Sequence, residues 1–412
     1  MSYSIEKITQ VVSAERYGDT AASISFLLTD SRSLCFPEET LFFALHTDRN
    51  DGHHYIPELY RRGVRNFVVE NVPNNFSDLY KHANFLKVSN TLAAFQQLAT
   101  FHRKAFNIPI VGITGSNGKT MVKEWLSQLF SYDMNVTRSP KSYNSQIGVP
   151  LSLWLFNENS QIGLIEAGIS KVGEMQALHD IIMPTVGVLT SIGTAHQENF
   201  SSLKEKCNEK LLLFKGTQAL IYRIDDKIAA NCVAETCYDG ELLAWSEHDT
   251  TAAFYVERIE KSNTTSTIHY IWKHSTHGNF ILPFIDDASI SNCITCAVVA
   301  LYFGMQPEVL AQRMAKLEPV AMRLEVKEGQ HGCTLINDSY NSDINSLNIA
   351  LDFMNRRPDQ KHRERTLILS DIYQSGETEE QLYAEVAVMV KERGIKKFIG
   401  VGKALNRQKQ AF

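Results

Sequence analysis

A chain of 412 residues has room for two or three domains, each large enough to bury a core of its own. Hydrophobic residues at 44% and charged residues at 21% are ordinary for a globular protein, and a net charge of −5 gives no reason to expect nucleic-acid binding or attraction to an anionic membrane. The polar start MSYSIEKITQ lacks the order of a signal peptide, and the longest nearly apolar run, ITCAVVALYF, falls far short of the roughly 18 residues of a membrane span.

No membrane insertion is therefore expected. Seven cysteines without an export signal fit reduced thiols in a cytoplasm. The lone C-x-x-C of Cys293 and Cys296 reads as two buried thiols on a helix rather than as a metal or redox motif.

In chain order, the first hundred residues alternate short apolar runs (TLFFALH, NFVVE) with helical stretches such as TLAAFQQLATFHRKAF and read as a small α/β domain. From Ile108 the rhythm sharpens: the β-rich run IPIVGIT, a glycine loop, then the helical MVKEWLSQLF. The runs IGLIEAG and VGVLTSIG follow, with helical sequence between them, which argues for a mostly parallel sheet covered on both faces. Near Pro319 a third unit begins, with the runs CTLINDSY, TLILSD and KKFIGVG separated by helical stretches at 344–355 and 378–393. The expected division is 1–100, 101–318 and 319–412.

The loop GITGSNGKT is shorter than the common phosphate-binding loop, whose first glycine stands five residues before the second. Gly115, Ser116, Asn117 and Gly118 would present backbone N–H groups to a phosphate chain, aided by the positive end of the following helix. Lys119 would supply charge to the outer phosphates and the Thr120 hydroxyl could hold Mg²⁺. The next two strands end in Glu166 and lead to His196, and the carboxyl ends of parallel strands share one rim, so Thr120, Glu166 and His196 should converge there. Imidazole is softer than Mg²⁺ prefers, so His196 suits a water or Mn²⁺. Beyond it, Ser202 and Glu205 form a capping box that opens a helix carrying Lys210. From spacing alone that lysine reads as solvated.

The set GITGSNGKT, SYNSQIGVP, EAG, TSIGTAHQENF, EKLLLF, MRLEV and NDSYNSDINS resembles the Mur ligases, over nearly the whole chain and in the right order. Within them it is most similar to the branch that adds D-alanyl-D-alanine to UDP-N-acetylmuramoyl-tripeptide. The resemblance implies an α/β protein of three domains: a UDP-precursor-binding domain, a central P-loop parallel-sheet ATPase domain, and a Rossmann-like C-terminal domain. It implies ATP as substrate, two Mg²⁺ ions, and a carbamylated lysine at Lys210, with Lys119, Lys210 and His196 catalytic and Thr120, Glu166, His196 and Lys210 around the metals. It places Asn292 against adenine, Arg323 and Asp338 on the nucleotide from the third domain, and Ser31, Arg32, Asp51, His53 and Asn144 toward the UDP-linked substrate; Arg49 falls in the same segment.

Three departures stand out: Met121 replaces a second threonine, Ser145 a second asparagine, and the segment NSDIN lacks the family's proline. The third unit offers few strands and little sequence to cover KFIGV, so a C-terminal domain cut short is expected, with a fused alanine racemase domain as one possible continuation. A folylpolyglutamate-type ligase, which shares the loop and the carbamate, and an inactive nucleotide-binding relative are the competing readings.

Overall fold

The computed structural model describes residues 1–47, 50–193, 197–340, 342–356, 364–373 and 378–412. Three sheet-bearing regions follow one another along the chain. The first is a five-stranded sheet in the spatial order Glu15–Tyr17, Asn84–Lys87, Asn66–Val69, Thr40–Phe43 and Phe26–Leu28. All its pairings are parallel except that of the edge strand Glu15–Tyr17. Thr40–Phe43 and Asn66–Val69 are buried at every position, the continuous apolar pattern of strands covered on both faces. Phe95 and Leu98 of the helix Thr91–Arg103 pack one face, and Phe67, Phe85 and Tyr80 fill the other.

That helix crosses the expected division at residue 100 and ends in a seam with the central region. His102 Nε2 donates to the Phe156 carbonyl at 3.0 Å, Nδ1 accepts from the Tyr3 hydroxyl at 2.9 Å, and the imidazole lies 4.6 Å from the Trp154 ring. Burial pulls the His102 pKa down to about 4.

The central region is one nine-stranded sheet in the order Val136–Arg138, Ile162–Glu166, Ile110–Thr114, Val186–Leu189, Ala219–Arg223, Glu241–Ser246, Phe254–Lys261, Ser266–Trp272 and Thr276–Leu282. The first seven strands are parallel and the last two complete an antiparallel meander that the sequence reading did not anticipate. Helices Lys119–Phe130 and Asp287–Tyr302 cover one face, and Glu174–Ile182, Leu203–Leu211 and Lys227–Glu235 the other. Cys293 and Cys296 are wholly buried on their helix, as expected. Below the sheet, the Trp125 indole donates to the Glu318 carbonyl at 2.9 Å and the Gln128 amide oxygen accepts from Glu318 N at 2.8 Å, so the helix that follows the glycine loop grips the chain where it leaves for the third region.

The third region has the expected helices, Ile344–Arg356 and Glu379–Glu392, but its strands divide differently. Thr334–Asn337, from CTLINDSY, pairs in an antiparallel hairpin with Glu325–Glu328, while Thr366–Ser370 and Lys397–Val401 form a separate parallel pair. The final residues give a short helix, Lys403–Arg407, and Phe412 stacks on Phe398 with ring centroids 4.1 Å apart. Among the described residues no helix is long and apolar enough to cross a membrane.

Candidate active site

The glycine loop leaves the strand Ile110–Thr114 and opens the helix Lys119–Phe130. Gly115 (φ +148°) and Gly118 (φ +89°) both occupy backbone space that favours glycine, and a Cβ would strike the Thr190 hydroxyl at the first and the Asn292 amide at the second. The loop is latched to the segment after the neighbouring strand: Ser116 N donates to Ser191 O at 2.6 Å and Thr190 Oγ1 to Asn117 O at 2.6 Å. Lys119 folds back to donate to the carbonyls of Gly115 and Ser116 at 2.8 and 2.9 Å. Its pKa falls to about 8, chiefly through burial, with Glu166 opposing and Arg323 adding to the shift.

At the same rim Glu166 is wholly buried at the end of its strand. Thr120 Oγ1 stands 3.3 Å from Glu166 Oε2 and 3.0 Å from Ser142 Oγ, and Asn144 Nδ2 lies 3.5 Å from Glu166 Oε2. Neighbouring oxygens on an octahedral Mg²⁺ with bonds of 2.0–2.1 Å are about 3 Å apart, so this hydroxyl–carboxylate pair has the spacing and the hard donors that Mg²⁺ requires. Among the described residues no group of three or more His, Cys, Asp or Glu is arranged to hold a metal ion. On the far side of the carboxylate the wholly buried Lys123 places Nζ 3.1 Å from Oε1. Sequence reasoning missed Lys123; its one signal was the step of four from Lys119, which puts both on one helix face.

Lys210 is not solvated: only 3% of it is exposed, and Nζ donates to the Gly115 carbonyl at 3.1 Å. The helix Leu203–Leu211 docks against the sheet and carries the lysine beneath the loop, a consequence of tertiary packing that helical spacing does not encode. Burial first, and then the ammonium groups of Lys119 and Lys206, lower its pKa well below that of an ordinary lysine. The capping box is only half as expected. Ser202 Oγ accepts from Glu205 N at 3.1 Å, whereas the Glu205 carboxylate bonds Ser201, not Ser202. Glu209, beside Lys210, accepts from Gly173 N and Met175 N and so ties the helix to the start of Glu174–Ile182.

His196 lies outside the described residues, as does Arg49. Asn292 meets the loop at Gly118 from the helix Asp287–Tyr302. From the third region Arg323 stacks on Tyr340 at 4.2 Å, close enough to Lys119 for the two charges to interact, and Asp338 Oδ1 accepts from Leu324 N at 3.2 Å. Burial raises the Asp338 pKa while Arg323 opposes the shift.

Ser31, Arg32, Asp51 and His53 stand apart, on the first region. Arg32 pairs with Asp30 at 2.7 Å, Ser31 O accepts from Arg62, and Asp51 Oδ1 holds His53 Nδ1 at 2.6 Å while Glu70 N donates to His53 Nε2. Asn144, the other residue expected toward the substrate, lies on the central region and faces Glu166.

Residues 113–300 match the Mur ligase middle domain. The chain is 28% identical over 382 residues to the UDP-N-acetylmuramoyl-tripeptide–D-alanyl-D-alanine ligase of Bacillus subtilis, a match covering 91% of this chain and 79% of that protein. Its fold is that of MurF from Acinetobacter baumannii (TM-score 0.86, 21% identity, covering 100% of this chain and 88% of that one). It is also that of the MurF ligase from Thermotoga maritima in complex with ADP (TM-score 0.75, 21% identity, 91% and 88%).

Proposed function

We propose that this chain is an ATP-dependent ligase that joins D-alanyl-D-alanine to UDP-N-acetylmuramoyl-tripeptide, forming ADP and phosphate, in peptidoglycan precursor synthesis in the cytoplasm. The observation that carries the reading is the meeting of the Gly115–Thr120 loop, Glu166 and Lys210 on one rim of the sheet, in a chain whose Bacillus subtilis relative bears that ligase's name.

The peptide carboxylate attacks the γ-phosphorus of ATP to give an acyl phosphate, the dipeptide amine displaces phosphate, and an amide remains. Two anions must meet, so the site's work is positioning and charge neutralisation. The loop amides and Lys119 hold the outer phosphates, and Asn292 flanks the loop where adenine would lie. Arg323 and Asp338 reach the nucleotide from residues 319–412. Residues 1–100, with Ser31, Arg32, Asp51 and His53, hold the UDP end, and Asn144 lies where the peptide carboxylate would arrive. Thr120 and Glu166, with His196, would hold Mg²⁺, which when bound would neutralise part of the negative charge of the reacting groups.

Lys210 completes this site as a carbamate. An ammonium repels a cation, but a buried amine kept neutral can attack CO₂ and lose a proton, becoming an anion with two oxygen donors. Its depressed pKa and its place beneath Gly115 support that role.

ADP release by the purified chain, with UDP-muramoyl-tripeptide and with or without D-Ala-D-Ala, tests the proposal. Release that needs both substrates is expected. Release with a folate and glutamate instead would transfer the chain to the folylpolyglutamate-type ligases, and release with neither pair would leave a nucleotide-binding relative.

A further inference from the structure

Lys123 lies one helical turn beyond Lys119, has no exposed surface, and places its ammonium among four oxygens: Ser139 O at 2.8 Å, Lys141 O, Glu124 Oε1 at 2.9 Å and Glu166 Oε1 at 3.1 Å. An ammonium has three protons to give. The two carbonyls fix the nitrogen through the backbone of the 139–141 turn, where Lys141 adopts a left-handed conformation (φ +48°). Ser139 also bonds the Glu166 backbone, its Oγ accepting from Glu166 N at 3.1 Å. The positive charge is therefore held beside Oε1 by main-chain groups, whatever the Glu124 side chain does. The carboxylate is divided: Oε1 faces a buried cation, and Oε2 faces the Thr120 hydroxyl and the Asn144 amide.

We propose that Lys123 is a positioning residue that confines Glu166 to coordination through Oε2 alone, and thereby sets the preference of the site for Mg²⁺ over Ca²⁺. The inference rests on reading Thr120 and Glu166 as metal donors. Mg²⁺ demands a near-ideal octahedron and takes a carboxylate through one oxygen, whereas Ca²⁺ accepts six to eight oxygens and readily takes both oxygens of one carboxylate. Two-oxygen coordination would bring a divalent cation against an oxygen that already has an ammonium 3.1 Å away, in a site where repulsion is poorly screened. The larger ion loses its preferred mode of binding and the smaller one loses nothing.

The experiment is calorimetric titration of the full chain, saturated with ADP, with MgCl₂ and with CaCl₂, for the wild type, Lys123→Met and Lys123→Arg. The Met variant is expected to lower the ratio of Mg²⁺ to Ca²⁺ affinity by at least about tenfold, roughly 1.4 kcal/mol. The Arg variant, which keeps the cation, should stay near the wild-type ratio. An unchanged ratio in a folded Met variant overturns the proposal. Because that variant leaves a buried carboxylate unpaired and can fail to fold, the wild type supplies an independent test. Isotope-edited infrared difference spectra, with Glu166→Gln assigning the band, should show one-oxygen coordination of Glu166 with both ions, and a two-oxygen signature with Ca²⁺ overturns the inference. If the wild type with ADP binds neither ion, it is the reading of the metal site that fails, and the two failures are thereby told apart.

Discussion

The central and the C-terminal sheets use similar sequence to opposite effect. Ile110–Thr114, Ile162–Glu166 and Val186–Leu189 are buried at every position, between helices on both faces. Thr366–Ser370 and Lys397–Val401 are as rich in β-forming residues, yet Leu369 alone is buried among them, and Ile368 and Val401 are 64% and 55% exposed. A run such as TLILS announces a strand but says nothing of what covers it. The difference matters to the chemistry, because the loop, Glu166 and Lys210 belong to the covered sheet, while Arg323 and Asp338 come from the region whose sheet is open.

The largest effect should come from the charges seated on the covered sheet. Lys119→Ala should cut turnover by at least about a thousandfold, some 4 kcal/mol of barrier, because its ammonium is seated on the loop where the proposed outer phosphates would lie. Lys210→Ala should be similarly inactive but partly restored by acetate, and wild-type activity should fall when CO₂ and bicarbonate are stripped. Steady-state ADP release measures all three, and survival of either variant within about tenfold of wild type would remove that lysine from the mechanism.

Next comes the sheet itself. Ile113→Ala empties a wholly buried position between helices and should lower stability in urea by about 3 kcal/mol. A loss below about 1 kcal/mol would mean that the central sheet is as yielding as the C-terminal one.

Acid tests the seam between the first and central regions. His102 is buried and neutral, with its pKa depressed from 6.5 to about 4, so it costs nothing above the ordinary value. As pH falls from about 6.5 toward 4 the unfolded chain takes up a proton that the folded chain refuses, and up to about 3 kcal/mol should be lost. Urea midpoints measured across that range should fall more steeply for wild type than for His102→Gln; parallel curves would show that the seam does not exclude the proton.

The smallest effect is expected where the sheet is open. Ile368→Thr should change stability by no more than about 0.5 kcal/mol, by the same urea titration. A loss as large as that of Ile113→Ala would show that something covers this face in solution.

The parts legible in the sequence were those where local chemistry leaves little choice. Gly115 and Gly118 were readable because only glycine fits beside Thr190 and Asn292, and Glu166 because it ends a wholly apolar strand. Lys210 was not, since LKEKCNEK has the look of a solvated helix and its burial comes from docking against the sheet; the family resemblance, not the spacing, pointed to it. Lys123 hid in the same way, as one more lysine on an amphipathic helix. The meander was missed because the alternation of Phe254–Lys261 breaks where the register shifts between Val256 and Arg258.

The grip on Glu318 has a mechanical consequence. The helix Lys119–Phe130 begins at the glycine loop and, about 9 to 14 Å later by its rise per residue, clasps Glu318 through Trp125 and Gln128. Only four residues separate that clasp from Arg323, too short a tether to wander far. The rod that carries the glycine loop is thus also the post on which the arginine is hung. The position of Arg323 is therefore set by the same helix that carries Lys119, and the two charges share one mount.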